Sequence, residues 1–169
     1  MPRSFDMAAE YEGSVEQVHR AFSDQTYWLE RLADSGADRA TLDSMTVTDD
    51  GGIDVVTTQV LRRDRLPGIV TQFHPGDLSI VREETWSPVS DGRATATVTG
   101  AIPGAPVTLS GTAVLASREN GSSRLEFTAA VEVRIPLVGG KVENFIGNQL
   151  VELLIGEQRF TSAWIKDNA

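Results

Sequence analysis

From Arg39 to Ile135 the apolar residues recur with period two, and short turn signals cut the run again and again. Asp49-Asp50-Gly51-Gly52 divides a strand at 40–48 from one at 53–61. Ser90-Asp91-Gly92 divides 78–87 from 93–101, Pro103-Gly104-Ala105-Pro106 leads into 107–117, and Asn120-Gly121 leads into 123–135. Asp-Gly and Asn-Gly supply the positive φ that tight hairpins need, and strands joined by such short links must run antiparallel. The chain is therefore committed to a six-strand meander. Its one long link, 62–77, is of a length that often serves as a functional flap.

The flanks of the meander are different. Residues 4 to 11 alternate, with Phe5, Met7, Ala9 and Tyr11 on one parity, and predict a further half-buried strand. Gly13 breaks it. Ser14 with Gln17 three residues on makes a capping-box pattern for a helix to about Phe22. Asp24 is a second N-cap, before a helix that uses Trp28, Leu29, Leu32 and Ala33 and stops near Gly36. At the other end Lys141 to Lys166 has no proline and would span ~39 Å as a helix. Val142, Phe145, Ile146, Gln149, Leu153, Gly156, Phe160 and Trp164 form its apolar stripe, with Glu143, Asn148, Glu152 and Arg159 largely off it. The order is β-α-α-β6-α, an α+β class in one domain over 1–169: a curved seven-stranded antiparallel sheet around a long C-terminal helix.

What lies between sheet and helix is the functional question. The inward parity offers small residues: Ala94, Ala96 and Val98 on one strand, Val107, Leu109, Gly111, Ala113 and Leu115 on the next. Either they let the helix approach closely or they leave an apolar hollow. On 78–87, Arg82 and Glu84 share a parity with Leu78, Ile80 and Trp86. An unpaired buried charge is costly, so these two form either a solvated outer-face pair or a partnered pair in a pocket.

The element order resembles the helix-grip fold of the START-like (SRPBCC) superfamily, which includes polyketide cyclases, lipid-transfer proteins and pollen-allergen-type ligand binders. Val18-His19-Arg20-Ala21-Phe22-Ser23-Asp24 followed by Trp28 resembles the first-helix region of those proteins. Ile135 to Glu143 is similar to an uncharacterised actinobacterial family of the superfamily. The resemblance implies an apolar cavity between sheet and helix that holds a lipid, sterol or polyketide-like molecule. It implies no shared catalytic residue.

The remaining features chiefly exclude. A net charge of −9 repels phosphates, which argues against nucleic acid and a polybasic membrane contact. Cysteine is absent, which removes thiol chemistry and suits a reducing, cytoplasmic setting. No secretory leader is evident, no stretch is apolar enough to insert stably in a bilayer, and His19 and His74 lack metal-ligand spacing and read as surface residues. No metal and no cofactor are expected. Gly139-Gly140-Lys141 lacks the upstream glycine and the following Ser or Thr of a phosphate loop. The leading reading is a non-catalytic carrier of a small hydrophobic molecule. Its expected lining is Trp86, Phe127, Phe145, Gln149 and Leu153, with Arg82 and Glu84 as the polar end and Phe73 on the flap. A cyclase or aromatase-type enzyme using Arg82, Glu84 or His74, and a protein-interaction module, are the alternatives.

Overall fold

A computed structural model describes residues 3–72, 74, 76–137 and 139–168. Strand β1 (Arg3–Tyr11) is followed by helices α1 (Val15–Phe22) and α2 (Gln25–Asp34). Strands β2 (Arg39–Val47) and β3 (Ile53–Leu61) come next, then a short helix α3 (Gly68–Thr71) in the long link. Strands β4 (Leu78–Trp86), β5 (Arg93–Ala101), β6 (Val107–Ser117) and β7 (Ser123–Val133) complete the meander, and α4 (Gly139–Asp167) closes the chain. The local reasons are those in the sequence. Ser14 and Gln17 form the reciprocal capping box, Asp24 caps Thr26, and Gly51, Gly92, Gly104 and Gly121 take positive φ in the turns.

The sheet has seven strands in the order β1-β7-β6-β5-β4-β3-β2, every pair antiparallel. Register places residues in rows across its inner face. One row runs Ile53, Trp86, Ala96, Ala113, Phe127, Met7. The next runs Val55, Glu84, Val98, Gly111, Ala129, Phe5, and the third begins Thr57, Arg82, Gly100, Leu109, Val131. Arg82 and Glu84 thus share the inner face with Trp86, and the choice left open by the sequence falls on the interior.

Helix α4 rests on β1 and β7 and leans against α1 and α2. Its buried arc differs from the sequence stripe. Glu143, placed off the stripe by spacing, is buried: its Oε2 accepts the Val133 N–H at 3.0 Å, and Arg3 Nε lies 3.6 Å from Oε1. Gly147 sits against the Phe5 ring. At about 100° per residue, Phe145, Gln149, Leu153 and Gly156 fall on the flank turned away from that contact. Two apolar clusters result. One gathers Phe22, Tyr27, Trp28 and Trp86 with Phe160 and Trp164; the other gathers Val107, Val131, Val133 and Val142 with Phe5 and Ile146.

Small residues on β6 serve a definite purpose. The Phe127 ring lies 2.8 Å from where a Cβ on Gly111 would stand, and the Thr128 carbonyl is equally near. Gly111→Ala is expected to destabilise the fold by about 1–3 kcal/mol by overpacking. The urea midpoint measures this; an unchanged midpoint would mean that ring and strand yield freely.

Candidate functional site

The inner face of β4 supplies the centre of the site. Arg82 Nη2 lies 3.0 Å from Glu84 Oε2 and 3.0 Å from Glu157 Oε2 of α4. Arg31 of α2 joins from the other side, its Nη2 2.6 Å from Glu157 Oε1 and 3.9 Å from Glu84 Oε2. The Arg31 guanidinium also lies 4.6 Å from the centroid of the Trp28 ring, within cation–π range. Two cations and two anions, each largely buried, bind three separate elements together. Burial penalises the charge on both arginines, but Glu157 foremost overrides it, so both hold their protons more tightly than usual. Burial likewise opposes charge on Glu157, and Arg31 and then Arg82 outweigh it, so its carboxyl sits below its ordinary value.

A hydroxyl chain adjoins the cluster. Thr161 Oγ1 donates to the Glu157 carbonyl at 2.7 Å, so Tyr27 Oη donates to Thr161 Oγ1 at 2.6 Å and accepts from Arg31 Nη1 at 3.2 Å. Burial pushes the Tyr27 phenol up, which keeps that proton in place. Among the described residues three buried side-chain nitrogens have no protein partner: Arg82 Nε, Trp86 Nε1 and His74 Nδ1. A buried donor left without an acceptor costs about 1–3 kcal/mol.

Toward the third row the inner face is less deeply buried. Gln59, Ile80, Arg82 and Gly100 on the strands are only half-buried, as are Phe145 and Leu153 on α4, while Phe127 packs against the first cluster and Leu109, Ile146 and Leu150 against the second. Gly156 is exposed, and no atom lies within 4 Å of its Cβ position. The close approach of helix to sheet is made at Gly147, over β1. Two surface recesses of about 400 Å³ lie elsewhere, one at Ser117–Asn120 and one bounded by Ser23, Gln25 and Leu42–Met45.

Comparison with known proteins completes the description. Residues 6–165 match the family described as Protein of unknown function (DUF2505). The chain belongs to this family. Uncharacterised proteins of Mycobacterium bovis and Mycobacterium tuberculosis are each 56% identical to it over 173 residues, covering 99% of both chains. Among solved structures it is similar to TTHA0849 from Thermus thermophilus (TM-score 0.62, 15% identity, 99% of each chain). It is also similar to Ara h 8.0201 (TM-score 0.61, 8% identity, 99% and 100%). Norcoclaurine synthase from Thalictrum flavum follows (TM-score 0.58, 14% identity, 99% and 88%). At such low identity these likenesses establish the fold alone, a helix grip.

Of the residues singled out from sequence, Arg82 and Glu84 meet in the cluster. Trp86 is buried against Phe22, ring centroids 5.1 Å apart, in the packed part of the interior. Phe127 is half-buried against the first cluster, Phe145 and Leu153 are half-buried on α4, and Gln149 is exposed on the same flank of that helix. Phe73 lies outside the described residues. Both histidines differ from the surface reading: His19 is buried with Nε2 2.8 Å from the Ser87 carbonyl, and His74 is buried in the long link. Sequence reasoning missed Arg31 and Glu157. Each carried a signal, since Glu157 lies four residues after Leu153 and three before Phe160, and Arg31 three after Trp28. Among the described residues no group of His, Asp or Glu is arranged to hold a metal ion. Among them, too, no helix is long and apolar enough to cross a membrane.

Glu157→Gln would leave two buried guanidinium groups facing one carboxylate and is expected to cost about 3–5 kcal/mol, read from denaturant unfolding. The pH dependence has a fixed sign. The folded carboxyl of Glu157 lies below its unfolded value near 4.5, so its contribution is complete above that pH and drains away as pH falls through the lowered value. The unfolding free energy of the native chain should fall on acidification below about pH 4.5, and the Glu157→Gln chain should show a shallower slope there. Equal slopes would show that Glu157 gains nothing from the arginines.

Proposed function

We propose that the protein binds and carries a small hydrophobic molecule between the inner face of β3–β6 and the free flank of α4. The observation that carries this reading is a set of half-buried apolar residues that join neither apolar cluster, Ile80 on β4 with Phe145 and Leu153 on α4, while Phe127 edges one cluster and Leu109 the other. Apolar surface left uncovered inside a fold forfeits about 25 cal/mol per Å², and a guest recovers it. Arg82 and Glu84 form the polar end, Gln149 stands at the rim, and the long link holding α3, Phe73 and His74 is the flap. Trp86 belongs to the floor. The fold relatives support the reading, because pockets of this type are mostly apolar with few polar groups.

Conversion of the guest by a cyclase-type mechanism is the weaker reading. Proton transfer near neutral pH needs a group that exchanges its proton there. Arg31, Arg82 and Glu157 are all displaced in the direction that keeps them charged, and each is spent on its neighbours. The outer face of the sheet presents Thr95, Thr97, Thr112 and Thr128, a polar row rather than an apolar patch for a partner.

Titration with Nile red, an uncharged apolar dye, should give saturable one-to-one binding. Leu153→Glu should weaken it at least about tenfold, while Leu29→Glu, on the exposed side of α2, should not change it. Non-saturable binding, or equal loss in the two variants, would remove the carrier reading.

A further inference from the structure

The charges in the site balance, and the balance constrains the guest. Arg82 Nη2 is divided between Glu84 and Glu157, and Arg31 Nη2 between the same two carboxylates. Among the described residues of the cluster no cation is left over. The other basic residues of α4, Lys141, Arg159 and Lys166, are exposed. Among the described residues the cluster's one fully buried donor without a protein acceptor is the Nε–H of Arg82; Trp86 Nε1, also unpartnered, lies among the packed rings. The cross-strand neighbour of Arg82 on β5, Gly100, has no side chain, and the position a Cβ would take there meets Leu109 at 3.4 Å.

We propose that the guest is an uncharged amphiphile, an apolar body bearing a hydroxyl or carbonyl oxygen that accepts the Arg82 Nε–H, and that the site rejects the ionised carboxylate of the same body. This rests on the carrier reading above and narrows it. A neutral oxygen exchanges one hydrogen bond with water for one with Arg82, a nearly even trade. A carboxylate would enter a region whose two cations are already matched, and its desolvation would find no new counter-charge. The net charge of −9 opposes an anion at long range as well. Glu84 is then a specificity-determining residue, since its negative charge closes the balance.

The test uses the intact chain and displacement of bound Nile red by three probes of equal chain length: 1-dodecanol, dodecanoate and dodecane, at pH 8. Dodecanol should displace the dye at a concentration at least about tenfold below that for dodecanoate. Glu84→Gln, isosteric and one charge more positive, should move the dodecanoate-to-dodecanol ratio toward dodecanoate by about tenfold. The double change Arg82→Met with Glu84→Gln keeps Arg31 and Glu157 as a matched pair, so it remains informative if the single variant fails to fold. It should erase the preference for dodecanol over dodecane. Dodecanoate displacing the dye as readily as dodecanol overturns the inference and leaves carriage standing, as does an unmoved ratio in Glu84→Gln. Dye binding that none of the three probes displaces overturns both readings.

Discussion

The packing of α2 and α4 on β4 is organised around two guanidinium groups and two carboxylates largely withdrawn from water. The energetics of such a cluster are poor in one sense, because a well-packed apolar substitute is often as stable or more so. They are strict in another. Arg31 comes from α2, Arg82 and Glu84 from β4, and Glu157 from α4, so the pairs form only when those three elements stand at one set of distances. Apolar contacts tolerate sliding, while a guanidinium shared between two carboxylates does not. The cluster thereby holds α4 across the sheet at the length of an arginine side chain.

That spacing explains why the interior divides. Near β1, Gly147 lets the helix press onto Phe5, and the second apolar cluster closes there. Near α1 and α2, Phe22, Tyr27, Trp28 and Trp86 fill the space with rings 5.1 to 6.0 Å apart. Between them the cross-strand positions hold Gly100 and Gly111. Here the charged side chains of Arg82 and Glu157 bridge sheet and helix, and Ile80 and Leu153 stay half-buried.

Much of this was written plainly in the sequence. The turn dipeptides fixed the hairpins, and with them the element order and most strand ends, because positive φ is a local demand met by local residues. Ser14, Gln17 and Asp24 marked their helix starts for the same reason. Arg82 and Glu84 stood out by parity, but parity says only that two side chains share a face. It cannot say which face when charged and large apolar residues occupy it together. That choice depended on partners far along the chain, Arg31 and Glu157, each disguised as an ordinary charge beside an apolar stripe. The stripe of α4 misled in phase: spacing put its centre near Phe160 and Gln149, whereas docking on β1 and β7 turned Glu143, Gly147 and Thr161 inward. A helix wider in apolar surface than the groove it occupies leaves its orientation to tertiary contact.

The same arrangement sets the tempo of folding. Tyr27 and Thr161, whose hydroxyls meet at the edge of the cluster, are 134 residues apart, and β1 must find β7 across almost the whole chain. Contacts so remote cannot form until the sheet between them has been laid down, and chains dominated by such pairings fold slowly, on roughly millisecond-to-second scales. Glu157 arrives with the last element, so a chain that ends before α4 sets two guanidinium groups, Arg31 and Arg82, against the single carboxylate of Glu84.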